Sequence, residues 1–198
     1  MNSAGSADLR PDDGETGRRE QVLDTALLVF ARYGYRKASM EDVARAAGIS
    51  RPGLYFYFAS KKDLFRAAVT RSLDSGVTGA KRALADSGRP LRGRLIEAID
   101  QWTGRYVGPL ANEIDALIAD NPDLLGEVPA AYPLRFASLV TDALAAQVPT
   151  GRQNVADDVA QTILSLVAGI KHQAGTREEF LARVTIGVGL LLPALERD

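Results

Sequence analysis

The chain has 198 residues, 46% of them apolar, enough for one large or two small hydrophobic cores. It has no cysteine, which rules out a disulfide framework and a thiolate metal site and fits a reducing cytoplasm. A net charge of −1 selects no partner by itself, but the charge is uneven: Lys/Arg against Asp/Glu runs 11 to 5 over residues 18–71, 1 to 4 over residues 1–17 and 12 to 16 over residues 72–198. Phosphate neutralisation needs a basic surface on the docking module only, so this split favours DNA over a general polyanion coat, although a solvated arginine-rich face gives a similar count.

Residues 1–17, rich in Gly, Ser, Asp and Pro and without periodicity, read as a disordered arm; they are acidic and lack the apolar stretch of a signal peptide. Thr16 is placed to cap a first helix whose apolar stripe is Val22, Leu23, Ala26, Leu27, Phe30 and Tyr33, ended by Gly34. Arg18 and Arg19 near its start are in reach of a phosphate backbone or are simply solvated.

The next stretch, Ser39 to Phe65, carries the densest pattern. Ser39 and Asp42 have the spacing of a capping box, and Met40, Val43, Ala44 and Ala47 follow at helical intervals. Gly48 stands where a chain reversal needs positive φ, Ile49 supplies an apolar plug, and Ser50 caps a second helix with Pro52 in its first turn. Leu54 and Phe58 can face the first helix, which leaves Arg51, Gly53, Tyr55 and Tyr57 on the other side, with Lys61 and Lys62 just after the cap residue Ser60. Helix, glycine turn, helix is a helix-turn-helix pattern. Such hairpins also occur as plain scaffold, but an exposed arginine suits guanine, and tyrosine hydroxyls and lysines suit phosphates.

The run Ser39 to Leu64, with Gly34-Tyr35 upstream and the core S-R-P-G-L-Y-F-Y-F-x-x-K-x-x-L, resembles the DNA-binding head of TetR-family transcriptional regulators. The resemblance covers roughly Arg18 to Val69. It implies that Arg51, Pro52, Gly53 and Tyr55 meet bases and adjacent sugars, while Ser39, Phe56, Tyr57 and Lys61 grip the backbone, with Ser50 opening the recognition helix. Gly53 stands where a threonine is common and Tyr57 where histidine is frequent, so the operator sequence stays open. The resemblance further implies a homodimer on a palindromic double-stranded DNA operator and a small-molecule effector bound in the body.

A helix after Ser60 places Leu64, Phe65, Ala68, Val69 and Leu73 on one side; in the resembled family this helix transmits ligand binding to the head. Residues 83–90 read as a loop and a domain boundary. The body reads as all helix: Leu91 to Val107 with Leu95, Ile99, Trp102 and Tyr106; Asn112 to Asp120; Pro133 to Val148 with Phe136, Leu139, Val140 and Leu144 behind Tyr132. The last two helices, about 153–174 and 176–196, are the most apolar, and Gly187 and Gly189 in the final one suggest close helix approach. They are core, or the dimer interface that the resemblance implies. The stretch Val184 to Leu195 is too short to span a membrane.

Catalytic patterns are absent. His172 is the only histidine, and Gly88 to Gly93 lacks the Lys and Ser/Thr of a phosphate loop. Asp120 and Asp123 flank a proline turn and, with Asp115, read as ordinary caps instead of cation ligands. No metal or cofactor and no enzyme activity is expected. Trp102, Tyr106, Tyr132 and Phe136 are explained by core packing; with the resemblance they become candidates for an effector cavity, with His172 as a polar contact.

The expected architecture is all-α, about nine helices: an arm over 1–17, a helix-turn-helix head over 18–70 and a ligand-binding and dimerisation body over 71–198. The expected function is a cytoplasmic, ligand-responsive transcriptional repressor, with a ligand-independent DNA-binding or architectural dimer and a small helical enzyme as alternatives.

Overall fold

The computed structural model describes residues 11–196, and every regular element in them is helical. The helices are α1 (Pro11–Tyr33), α2 (Met40–Ala46), α3 (Arg51–Tyr57), α4 (Lys61–Ala85), α5 (Leu91–Trp102), α6 (Pro109–Ala119), α7 (Pro122–Leu125), α8 (Val128–Ala145), α9 (Gln153–Gln173) and α10 (Arg177–Leu191), with 3-10 turns at Gly104–Tyr106 and Leu192–Leu195. The chain divides into two compact units at Arg71/Ser72, inside the uninterrupted helix α4.

The first unit is built on α1. Its residues Val22, Leu23, Ala26, Leu27 and Phe30 are buried together with Met40, Val43, Leu54, Phe58, Leu64, Phe65 and Val69. Two of these helices, α2 and α3, have seven residues each, too short to persist alone, so tertiary burial of one face holds them helical. Phe30 and Phe65 meet edge to face at 5.3 Å, and the Tyr35 ring lies 4.9 Å from Phe65. Arg71 closes the far end by pairing with Glu20 at 2.8 Å and Asp24 at 3.1 Å.

In the second unit, α5, α8, α9, α10 and the end of α4 enclose Leu95, Ile99, Phe136, Val140, Leu144, Ile163, Val167, Phe180, Val184 and Val188. The glycines of α10 do permit close approach: a Cβ at Gly187 would stand 2.1 Å from Leu166 Cδ2 of α9, and one at Gly189 would stand 3.1 Å from the Arg92 guanidinium of α5. Arg177 at the start of α10 grips Asp100 of α5 through two hydrogen bonds of 2.8 and 2.5 Å.

Several boundaries differ from expectation. Helix α1 begins at Pro11, so Thr16 lies inside it instead of capping it; proline at a first helical position gives up no intrahelical bond. The remainder of the expected arm, residues 1–10, lies outside the described residues. Tyr33 is 52% exposed and leaves the stripe, because it is the last residue of α1 before Gly34 turns at φ 76°. The expected loop at 83–90 shrinks to 86–90. Helix α5 stops at Trp102, and Tyr106 sits in the following 3-10 turn. Helix α8 begins at Val128 and absorbs Pro133 on its exposed side, giving up one backbone donor near its start. Helix α10 ends at Leu191, since Pro193 cannot continue the α-helical bonding, and Leu192–Leu195 tightens to a 3-10 turn.

Candidate nucleic-acid interface and ligand cavity

The turn between α2 and α3 is set by its caps. Ser39 accepts from the Asp42 amide at 3.2 Å, while the Asp42 carboxylate accepts from the Ser39 amide at 3.0 Å and hydroxyl at 2.6 Å. These donors, the Ser39 hydroxyl first, hold the Asp42 carboxyl below its ordinary pKa. At the other end Gly48 takes φ 64°, its N–H donating to the Arg45 carbonyl, and the Ile49 N–H donates to the Ala44 carbonyl. That pair of bonds is a Schellman motif, which only a residue tolerant of left-handed geometry can make cheaply. Ser50 then accepts from the Gly53 amide at 3.1 Å to start α3.

With Leu54 and Phe58 buried, α3 presents Arg51, Pro52, Tyr55 and Phe56 outward, and leaves Gly53 and Tyr57 half-buried. Phe56 is 77% exposed, an unusual position for phenylalanine. The Arg51 guanidinium lies 5.7 Å from the Tyr55 ring centre, and Phe56 packs edge-on to Tyr57 at 5.4 Å. A Cβ at Gly53 would stand 3.1 Å from the Ser50 hydroxyl, so glycine there keeps the cap uncrowded.

Three of the expected contact residues are engaged inside the head. Ser39 and Ser50 spend their hydroxyls as caps, and the Lys61 ammonium donates to the Ala38 carbonyl at 2.7 Å and the Arg36 carbonyl at 3.3 Å. Two arginines of α1 also support the recognition element: Arg18 reaches the Gly48 carbonyl at 3.5 Å, and Arg19 stacks 5.0 Å from the Phe58 ring centre.

In the second unit a cavity of about 570 Å³ is lined by Trp102, Tyr106, Phe136 and His172, which the sequence had grouped, and by residues it had not, including Leu73, Ile114, Leu164 and the pair Asp115–Lys171. Trp102 and Phe136 stack with centroids 5.4 Å apart and planes inclined by 21°. Gly76 of α4 allows Trp102 to approach: its added Cβ would lie 3.1 Å from the indole. The Tyr106 hydroxyl shares a short hydrogen bond with Ser72. Lys171 of α9 donates to Asp115 of α6 at 2.5 Å, so the carboxylate weighed as a cation ligand is an ion-pair partner.

Tyr132 is not part of the wall. It is 5% exposed, and its hydroxyl donates to Asp74 at 2.5 Å, with the Arg135 guanidinium 4.8 Å from its ring centre. Burial, then the Asp74 bond, pushes its pKa up to about 12. Its neighbour by one helical turn, Phe136, takes the cavity-facing position. On α10, Ile186 and Leu190, one turn apart, are 62% and 75% exposed.

The first unit is thus a helix-turn-helix whose second helix turns Arg51, Tyr55 and Phe56 outward, and the second is a helical body that holds a cavity. Residues 22–68 match the family model described as "Bacterial regulatory proteins, tetR family". The chain is 43% identical over 85 residues to the HTH-type transcriptional activator FasR of Mycolicibacterium smegmatis, covering 43% of this chain and 38% of that one. It is 37% identical over 114 residues to the HTH-type transcriptional repressor KstR2 of Rhodococcus jostii, covering 54% of this chain and 55% of that one. A crystal structure of a transcriptional regulator from Rhodococcus sp. Rha1 superposes with a TM-score of 0.67 at 19% identity, over 91% of this chain and 98% of the other, a likeness of fold. These matches show a tetR-family helix-turn-helix over residues 22–68, and the relatives named are transcriptional regulators. The chain spans about half or less of the length of these two curated relatives. Among the described residues no helix is long and apolar enough to cross a membrane.

Proposed function

We propose that the protein is a homodimeric transcriptional repressor that binds a palindromic operator and releases it when a small apolar or aromatic effector enters the cavity at Trp102. The observation that carries this reading is the outward face of α3. Arg51, Pro52, Gly53, Tyr55, Phe56 and Tyr57 form the contact set for a major groove, Arg51 suited to guanine and the Phe56 ring to thymine methyl groups. Ser39, Ser50 and Lys61 act by holding that face in place.

Dimerisation through α9 and α10 is supported by the exposed pair Ile186 and Leu190, because apolar side chains left to solvent on a helix face mark an association surface. A two-fold dimer in turn requires a palindromic site. Ligand response is supported by the size of the cavity, within the range of small-molecule sites, and by α4, which supplies Leu64 and Phe65 to the head core and Leu73 to the cavity wall. An effector that binds one setting of α4 more tightly than the other shifts the spacing of the two recognition helices; equal affinity for both would shift nothing. The cavity favours this reading over a ligand-independent architectural dimer.

Of the two relatives above, one is called an activator and the other a repressor. Repression is favoured here since a dimer occupying its operator blocks polymerase with no further contact surface. The site of action would be the cytoplasm, where bacterial operators are.

Selection of bound genomic fragments with the intact protein and with Arg51→Ala tests the reading. Enrichment of one palindrome, lost in Arg51→Ala, supports it; salt-sensitive binding without an enriched sequence refutes it.

A further inference from the structure

We infer that the cavity at Trp102 selects an electrically neutral effector with a flat apolar body, and discriminates against carboxylates and ammonium ions of the same shape. The inference rests on the reading of this cavity as the effector site.

Its wall is predominantly apolar: Leu73, Ile114, Ile118, Leu164 and Val167 with the Trp102–Phe136 stack. Of the polar groups in the wall, Tyr106, Asp115 and Lys171 arrive already paired. Tyr106 is bonded to Ser72 at the rim, so its hydroxyl is satisfied without a ligand. The two oppositely charged lining residues, Asp115 and Lys171, neutralise each other at 2.5 Å. Lys171 is compensated a second time, because it lies in the last turn of α9, where the unpaired carbonyls of the helix end favour a cation. An entering carboxylate would find Lys171 already neutralised by Asp115, whose own negative charge would oppose it. An entering ammonium would find Asp115 already engaged by the positive charge of Lys171. Either charge loses its hydration without gaining a free counter-charge, the condition under which burying an ion is unfavourable.

A neutral molecule meets no such penalty. The Trp102 and Phe136 rings, stacked on one another, both line the cavity and give it an aromatic wall suited to a planar body. His172, exposed at the cavity edge in the last turn of α9, has no hydrogen-bond partner among the described residues and can serve a hydroxyl or carbonyl on the ligand.

Three probes of one shape separate the possibilities: 4-biphenylmethanol, biphenyl-4-carboxylate and 4-biphenylmethylammonium, titrated calorimetrically into the full chain at neutral pH. The neutral alcohol is expected to bind at least about tenfold more tightly than either ion, a step that the uncompensated-charge penalty readily supplies. Asp115→Asn, which frees Lys171, is expected to turn the preference to the carboxylate; Lys171→Met, which frees Asp115, turns it to the ammonium. Ala168→Trp, which fills the cavity, is expected to abolish binding of all three. Equal or tighter binding of an ion to the unaltered chain, lost in Ala168→Trp, overturns the neutral preference and leaves the cavity as the site. Binding that survives Ala168→Trp, or no binding by any probe, overturns the reading of the cavity and the inference with it.

Discussion

The Lys61 ammonium lies 4.5 Å from the centre of the Tyr35 ring and donates to the Ala38 carbonyl at 2.7 Å, tying the start of α4 to the segment that leads into α2. A residue whose type and position suggest a phosphate grip thus fixes the geometry of the docking surface. Lys61→Met is expected to lower the unfolding free energy by about 2–4 kcal/mol, the sum of a cation–aromatic contact and a charged hydrogen bond. It should weaken operator binding without changing the salt dependence. Denaturant unfolding and fluorescence anisotropy at several salt concentrations check this; a shallower salt slope would show that Lys61 neutralises a phosphate after all.

Arg51 is exposed, and among the described residues its guanidinium contacts only the neighbouring Tyr55 ring. Arg51→Ala should leave stability within about 0.5 kcal/mol but reduce discrimination between operator and unrelated DNA by about 1–3 kcal/mol, the range of one bidentate base contact. Tyr55→Phe, which keeps the ring and removes the hydroxyl, should cost less, about 1 kcal/mol of affinity. Competition binding against scrambled duplexes measures both.

Ile186 and Leu190 present two large apolar side chains to solvent on α10, while Phe180, Val184 and Val188 face the core. If the proposed dimer forms through this face, glutamate at both exposed positions should leave a monomer with little change in helical content. Sedimentation velocity and circular dichroism together decide this, and a persisting dimer would move the interface elsewhere.

Tyr132 keeps its proton up to about pH 12 because its ring is buried and its hydroxyl bonds Asp74. A folded-state pKa above the ordinary value of 10 means the folded protein holds this proton more tightly. The stability it contributes is therefore complete below about pH 10 and is lost as the pH rises toward 12. Of the six tyrosines Tyr132 should titrate last, near pH 12, in an absorbance titration, and Tyr132→Phe should remove that last phase and flatten the fall in stability over the same interval.

The head was largely legible in the sequence because its determinants are local. The Ser39–Asp42 box, the Gly48 turn and the Ser50 cap are fixed by residues within five positions of one another, and all three occur where the spacing places them. Helix ends in the body were less legible. Pro133 reads as a helix start, yet α8 passes through it, since one missing donor near a helix end is outweighed by the packing of Phe136, Val140 and Leu144. Tyr132 was grouped with the cavity because aromatic content alone does not say which way a side chain turns; its bond to Asp74, 58 positions away, turns it elsewhere.

By itself the sequence determined the all-helical class and the caps and glycine turn of the recognition element, since periodicity and capping act within a turn or two of the chain; it expected Gly53 and Tyr57 outward, whereas Pro52 and Phe56 take those exposed places. Only the tertiary structure decided that Lys61 is engaged by carbonyls at positions 36 and 38, that α4 is a single helix shared by both units, and that Asp115 and Lys171 neutralise each other in the cavity wall. Those outcomes depend on contacts between helices remote in sequence, where neither spacing nor composition carries a signal, and they set which charges in the protein remain free to meet a ligand.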